Sequence, residues 1–327
     1  MTMIFDSNNL IDNQILKQFK KDDLDSITNT NVEYFGINIY SSDERDFDYK
    51  IYYRNKPSTD IYFKNVDASI VNYLKSHDML QYLQVAKDSS IPNLFKYDLN
   101  IKNRTTANML EMFDYFDKNI PLFSKHKEEI INFSKIKSKD GEDYIYFSFQ
   151  HIGFIFDGNK NILFKAYWTN RISRKTHDYY INFLKNSNIK KFNQLAPIAD
   201  NIINSCKAYI FMEGIDYSES GAISHKVYVI YPKRVYEGLL TSLPEENKLL
   251  KERLLLIKDW NDLHPELSCE GFAIGLDKDN KLNLKLYYSV SDKTDNDDIV
   301  KNVHKKKKTF TRYYPVKQIR TTDSIKP

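Results

Sequence analysis

Alternating apolar and polar positions recur in paired segments along the chain. Each pair consists of two short alternating runs joined by a polar turn, such as Gly158-Asn159 or Ser220-Gly221. Alternation with a period of two is typical of half-buried strands, and Gly and Asn are residues that tight hairpin turns require. The pattern predicts five β-hairpins, near residues 32–55, 93–117, 143–169, 207–233 and 269–291.

The segments between these hairpins have a helical periodicity instead. Apolar residues recur there at three- and four-residue spacing, which places them on one face of a helix. The segments with this spacing are 67–85, 126–136, 174–185 followed by 192–203, and 245–259. The repeating order along the chain is therefore strand, strand, helix, helix.

A short motif in the second strand of the hairpins indicates the repeat length. The tripeptide Lys-x-Tyr occurs at Lys50/Tyr52, Lys165/Tyr167, Lys226/Tyr228 and Lys285/Tyr287. The last three copies are 61 and 59 residues apart, and the first copy precedes the second by 115 residues. A further copy is therefore expected near residue 110, where NMLEMFDYF places Glu111 and Phe113 in the Lys and Tyr positions. With this copy, the chain is predicted to contain five repeats.

Five antiparallel hairpins supply ten strands. Closing ten strands into a barrel leaves no edge strand and creates a lumen wide enough for a ligand. The sequence thus predicts an α+β fold in which residues 1–327 form one domain, a ten-stranded antiparallel β-barrel of five αββα repeats surrounded by helices.

Composition and charge exclude several classes of function. The chain has 327 residues, and its 48 basic and 44 acidic residues are mixed along it. No basic stripe for nucleic acid, no long apolar span and no signal-peptide pattern is found, and phosphate-binding glycine motifs of nucleotide folds are missing. With only two cysteines, no disulfide framework is expected. We expect a soluble, cytoplasmic monomer that binds neither nucleic acid nor a membrane.

The Lys-x-Tyr motif also predicts the chemistry of the lumen. Positions i and i+2 of a strand share a face, so each lysine points the same way as its tyrosine, while Ala166 and Trp168 point towards the helices. Unpaired ammonium groups inside a barrel are costly, so a polyanion such as a diphosphate is expected beside them. Tyrosine rings next to it could stabilise an allylic cation. The alternative, in a chain with 24 tyrosines, is that the motifs lie on exposed strand faces.

The Lys-x-Tyr strands, in their order and spacing, resemble those of the prenyltransferase-barrel (ABBA) enzymes, and the cyanobactin peptide prenyltransferases most. The resemblance covers about residues 30–292 and is most specific in IGFIFDGNKNILFKAYW, with weaker similarity in DLNIKNRTTANMLEM and LKLYYS. It implies transfer of a dimethylallyl or geranyl group from its diphosphate, usually with Mg²⁺. The implied acceptor is a side chain of a ribosomal, often macrocyclic, peptide.

The resemblance also implies roles for individual residues. Glu33, in NVEYFGINIY, is similar to the first-strand glutamate that acts as catalytic base in the family. The residues expected to bind the prenyl diphosphate are Lys50, Tyr52, Lys165, Tyr167, Lys226, Tyr228, Lys285 and Tyr287. Of these, Lys226 is placed by the internal repeat alone and Tyr52 by analogy with the other copies. Arg54 and Arg234 could extend the phosphate site or could be charges at the rim.

The predicted second hairpin departs from the family pattern. Glu111, Phe113 and Tyr115 stand where the family has basic and histidine side chains. A lumenal Glu111 could hold Mg²⁺ or bind a cationic acceptor such as guanidinium or imidazole. Two other functions stay open: an aromatic small-molecule prenyltransferase, whose lumen the tail after Asp292 would cap, and a barrel that binds a ligand without turnover.

Overall fold

The structure is a computed structural model that describes residues 9–19, 32–42, 44–53, 66–80, 83–101, 106–137, 149–158, 160–169 and 177–290. These residues fall within one compact unit, Thr2–Val290. The predicted single domain of residues 1–327 extends beyond them, and the tail after Asp292 lies outside the described residues.

Ten antiparallel strands form a closed barrel. The strands are β1 Val32–Tyr40, β2 Phe47–Tyr53, β3 Leu83–Asp88, β4 Phe95–Asn100, β5 Phe149–Asp157, β6 Lys160–Thr169, β7 Tyr209–Ser218, β8 Gly221–Ile230, β9 Leu267–Asp277 and β10 Leu282–Val290. Each strand pairs with its neighbours in sequence, and β10 pairs with β1 to close the sheet. The predicted ten-stranded barrel is confirmed.

Helices cover the outer face of the barrel. Those in the described part of the chain are α1 Leu10–Gln18, α2 Ala68–Ser76, α3 Thr106–Asn119, α4 Pro121–Lys137, α5 His177–Lys185, α6 Lys190–Cys206, α7 Val235–Ser242 and α8 Lys248–Leu263. Trp168 of β6 points outwards, and its Nε1 donates to Ser134 Oγ of α4 at 2.7 Å. Tyr288 of β10 likewise packs edge-on against Trp260 of α8, with ring centroids 5.7 Å apart. No helix described here is long and apolar enough to cross a membrane.

The predicted second hairpin, near residues 93–117, is wrong. Its strands are β3 and β4, and the segment taken for its second strand belongs to α3. Met109, Met112, Phe113 and Phe116 are all buried, at the i, i+3, i+4, i+7 spacing of a helix face. The predicted helix 67–85 is correspondingly too long, because α2 ends at Ser76 and Leu83 begins β3.

Small residues on the odd-numbered strands leave room in the lumen for long polar side chains on the even-numbered ones. The lumen-facing small residues are Gly36, Ala86, Gly153, Gly214, Ala273 and Gly275. A Cβ on Gly214 would lie 2.7 Å from the ring of Tyr167, and one on Gly153 would lie 2.4 Å from Asp98 Oδ1. Neither position can carry a side chain without displacing a lumenal group.

Candidate active site

One lysine from each even-numbered strand points into the lumen, and together they form the lysine layer. Its members are Lys50, Lys96, Lys165, Lys226 and Lys285. Four of the five are less than 9% exposed, and the side chain of Lys226 is 17% exposed. The Lys-x-Tyr pattern predicts four of them but not Lys96, because the second copy of the motif reads Lys-x-Asp rather than Lys-x-Tyr.

Three aspartates neutralise part of this layer. Asp88 pairs with Lys50, and Asp98 Oδ2 lies 2.5 Å from Lys96 Nζ. Asp216 Oδ2 accepts from both Lys165 and Lys226, at 3.0 and 2.5 Å.

The protein's own carboxylates therefore supply part of the negative charge that the Lys-x-Tyr motif predicts for a ligand. Burial opposes ionisation of Asp216, but the charges of Lys165 and Lys226 outweigh it and hold the pKa of this carboxyl well below its usual range. Lys50 acts on Asp88 in the same way and lowers its pKa. Both carboxylates are thus charged at neutral pH.

Lys285 is the member of the layer that has no carboxylate partner among the described residues. Its Nζ donates to Tyr52 Oη and lies 4.6 Å from the centroid of the Tyr287 ring. Burial lowers the pKa of Lys285 well below its usual value, and the positive charges of the other four lysines lower it further. With five lysines and three aspartates, the layer lacks negative charge when all its lysines are protonated.

Four tyrosines form an arc beside the lysine layer. Ring centroids are 6.1 Å apart for Tyr52 and Tyr287, 6.3 Å for Tyr287 and Tyr228, and 5.7 Å for Tyr228 and Tyr167. Burial raises the pKa of all four phenols, so they stay protonated. The arc offers π faces and hydroxyl donors to a ligand in the lumen.

The register of the sheet repeats the same arrangement around the barrel. Tyr52 lies opposite Ala86, which lies opposite Lys96. The same order of tyrosine, small residue and lysine across three neighbouring strands recurs for Tyr167, Tyr228 and Tyr287. Beyond the tyrosines the lumenal side chains are half-buried, namely Gln84, Asn100, Thr169, Met212 and Ser289. Half-buried lumenal side chains also follow on the lysine side, at Leu163 and Asn283.

The eight predicted lysines and tyrosines of the Lys-x-Tyr motifs thus lie together in the lumen, and among the other predicted residues that the structure describes, Arg234 and Glu111 do not join them. Glu33 belongs to β1, at a register irregularity between Val32 and Tyr34, but its side chain lies outside the described residues. Arg54 also lies outside them. Arg234 is an exposed residue at the start of α7, with its Nε 3.9 Å from Glu237 Oε2.

Glu111 is not in the lumen, so its predicted role as a lumenal ligand for Mg²⁺ or a cationic acceptor is wrong. It is exposed on α3, and its Oε1 lies 3.1 Å from His77 Nε2. The remaining described residues contain no group of three or more His, Cys, Asp or Glu side chains placed to hold a metal. Because lysines already bind the lumenal Asp88, Asp98 and Asp216, these carboxylates do not fit a Mg²⁺ site.

The lysine layer makes stability depend on pH. Burial, which outweighs the attraction of Asp216, lowers the pKa of Lys165 and of Lys226 to about 8 each. The same side chains in the unfolded chain have a pKa of about 10.4. Between these values the unfolded chain binds more protons than the folded protein, so the free energy of unfolding rises with pH. At higher pH, Cys206 and the tyrosines reverse the trend, because burial raises their pKa in the folded protein.

We therefore expect the thermal unfolding midpoint to rise between about pH 8 and 9, the lower part of the interval between the folded and unfolded pKa values of Lys165 and Lys226. Differential scanning calorimetry of the protein and of the Lys226→Met variant measures this, and the variant should show a smaller rise. A midpoint that falls over this interval in the unmodified protein would show that the lysines are not destabilised by burial.

Comparisons with known proteins identify the fold. Neither protein-family models nor curated proteins gave a match. Among solved structures, AnaPT from Neosartorya fischeri is similar with a TM-score of 0.50 and 12% identity, covering 79% of this chain and 78% of that one. The NotF prenyltransferase has a TM-score of 0.53 and 10% identity, covering 79% and 80%. NotF in complex with brevianamide F and DMSPP has a TM-score of 0.51 and 10% identity, with the same coverage. The predicted prenyltransferase-barrel fold is confirmed.

Proposed function

We propose that this protein transfers an isoprenoid group from its diphosphate to a nucleophilic acceptor in the barrel lumen. The observation that carries the proposal is the stacking of two layers along one lumen: five lysines with three counter-charges, then an arc of four tyrosines. A diphosphate complements the first layer and an allylic group the second. The barrel fold shared with the NotF prenyltransferase supports this reading.

In the proposed mechanism the protein positions and stabilises charge. The C1–O bond of the donor breaks and its electron pair leaves on the diphosphate, whose growing charge the lysines stabilise. The π faces of Tyr52, Tyr167, Tyr228 and Tyr287 stabilise the allylic cation. The acceptor attacks C1 or C3 of this cation, and Glu33 takes the proton that the acceptor loses.

Two kinds of acceptor are compatible with the part of the lumen that the half-buried side chains line beyond the tyrosines. The first is a side chain of a ribosomal peptide that enters one open end of the barrel, as the resemblance to the cyanobactin enzymes implies. The second is an aromatic small molecule, which the complex of NotF with brevianamide F favours. The tail after Asp292, which would cap the lumen for a small acceptor, lies outside the described residues.

Mass spectrometry of a mixed pool of peptides and aromatic compounds tests the proposal. The protein is incubated with dimethylallyl or geranyl diphosphate, with added Mg²⁺ or with EDTA. We expect one acceptor to gain one isoprenoid unit in both conditions, because the lysines supply the charge that a metal would supply, and we expect Glu33→Gln to reduce the product at least about a hundredfold. No adduct and no released diphosphate would contradict prenyl transfer and leave a barrel that binds without turnover.

A further inference from the structure

A carboxylate occupies the fifth position of the tyrosine layer. In the second repeat, Asp98 on β4 stands two residues after the lumenal Lys96, where the other four repeats have tyrosine. The tyrosine arc runs from Tyr52 on β2 through β10 and β8 to Tyr167 on β6, and β4 lies in the gap between these ends. A ligand inside the arc therefore has aromatic rings on four sides and Asp98 on the fifth.

Among the described residues, only one oxygen of Asp98 has a partner. Oδ2 lies 2.5 Å from Lys96 Nζ, whereas Oδ1 is buried and receives no hydrogen bond from the described residues. Room for the carboxylate comes from Gly153 on the neighbouring strand. A buried carboxylate oxygen without a donor is costly, so a bound molecule that supplies a further N–H or O–H donor to this carboxylate, whose side chain is 15% exposed, is favoured.

The charge of Asp98 acts on the whole arc. It contributes to the raised pKa of Tyr52, Tyr167, Tyr228 and Tyr287, after burial in each case. Geometry places the carboxylate near one end of the arc, because its partner Lys96 has its Nζ 5.6 Å from the centroid of the Tyr52 ring. When a diphosphate enters the lysine layer, its oxygens compete with Asp98 for Lys96, because the same ammonium group serves both.

We infer that Asp98 binds the acceptor and selects one with a basic nitrogen group, such as guanidinium, imidazolium or ammonium. This inference rests on the proposed prenyl transfer. A positively charged N–H donor forms a charge-assisted hydrogen bond to the carboxylate, whereas a phenol or indole offers only a neutral donor. A fifth tyrosine at this position would have no such preference.

The charge balance of the transfer agrees with this assignment. The C1–O bond breaks with its electron pair leaving on the diphosphate, Glu33 takes one N–H proton, and the nitrogen lone pair forms the bond to C1 or C3 of the allylic cation. The acceptor loses a proton and gains an alkyl cation, so it remains a cation in the product. Asp98 therefore keeps a positively charged partner before and after the reaction.

A competition experiment with matched variants tests the inference. The N-acetyl amides of arginine, histidine, lysine, tyrosine and tryptophan are supplied at equal concentration with dimethylallyl diphosphate, and adducts and released diphosphate are both measured. We expect basic acceptors to be preferred about tenfold or more by the unmodified protein. Asp98→Asn and Asp98→Tyr should lose this preference while still releasing diphosphate from the donor, and Asp98→Tyr should shift product towards the neutral aromatic acceptors.

Asp88→Asn is the control, because it also removes a lumenal carboxylate from a lysine, Lys50, but lies in the lysine layer. It should leave the ratio of basic to neutral products unchanged. A ratio that Asp98→Asn does not alter, or a preference of the unmodified protein for neutral acceptors, would overturn the inference. If the unmodified protein neither releases diphosphate nor forms an adduct, the proposed function is overturned, and the inference with it.

Discussion

Replacing Asp216 with alanine is expected to lower the free energy of unfolding by about 3–5 kcal/mol. Asp216 is 5% exposed, and its Oδ2 accepts from two lysines that are themselves lumenal. Its loss leaves Lys165 and Lys226 without a described counter-ion, and a buried ammonium group without one must either lose its proton or remain charged at a high cost. This is the largest stability effect that the lysine layer predicts.

Urea denaturation at neutral pH measures the change, with Asp262→Ala as the control. Asp262 also accepts from a lysine, Lys258 at 2.7 Å, but its side chain is 63% exposed, so its loss should change stability by less than about 0.5 kcal/mol. Added inorganic diphosphate should stabilise Asp216→Ala more than the unmodified protein, because the variant has more uncompensated positive charge. Equal stability of the two variants would show that Asp216 is not an essential counter-charge.

Replacing Lys285 with methionine is expected to have opposite effects on stability and on donor binding. Lys285 is buried, has no described carboxylate partner and lies among four other lysines, so an apolar side chain of similar length should stabilise the empty barrel by about 1–2 kcal/mol. The same substitution removes an ammonium group that a diphosphate would contact. Donor affinity should then fall about 30- to 100-fold, the loss of one charge-assisted hydrogen bond.

Thermal unfolding without ligand and titration with an unreactive thiolodiphosphate analogue of the donor measure the two effects separately. Lys258→Met, a substitution of the same kind at an exposed site, should change neither. A Lys285→Met variant that is less stable and binds the analogue normally would indicate that Lys285 is a structural residue rather than part of a donor site.

Local sequence patterns were sufficient to predict most of the barrel. Four of the five hairpins were predicted near their positions in the structure, because strand alternation and turn residues are signals that neighbouring residues carry. A regular 60-residue period predicts the wrong place for the second hairpin, because the second repeat is not regularly spaced. Lys96 lies 46 residues after Lys50 and 69 before Lys165. The helical spacing of Met109, Met112 and Phe116 was the signal that could have corrected it.

The counter-charges of the lysines could not be predicted in the same way. Lys165 and Asp216 are 51 residues apart, and their contact depends on the register between β6 and β7, which the turn residues of single hairpins do not determine. A weaker signal was present, since Gly214-Ile215-Asp216 and Ala86-Lys87-Asp88 both place an aspartate two residues after a small lumenal residue. That pattern predicts lysine counter-ions only when the small residues are already known to face the lysines.

Isothermal titration calorimetry of the unmodified protein with dimethylallyl thiolodiphosphate tests most directly whether the lysine layer is a donor diphosphate site. Titrations near pH 8 in two buffers of different ionisation enthalpy also report proton uptake. We predict one saturable site, with net uptake of protons as Lys165, Lys226 and Lys285 become fully charged beside the diphosphate. Absence of binding would contradict the assignment of the lysine layer to the donor. Binding that takes up no protons and has the same affinity in the Lys285→Met variant would contradict it as well.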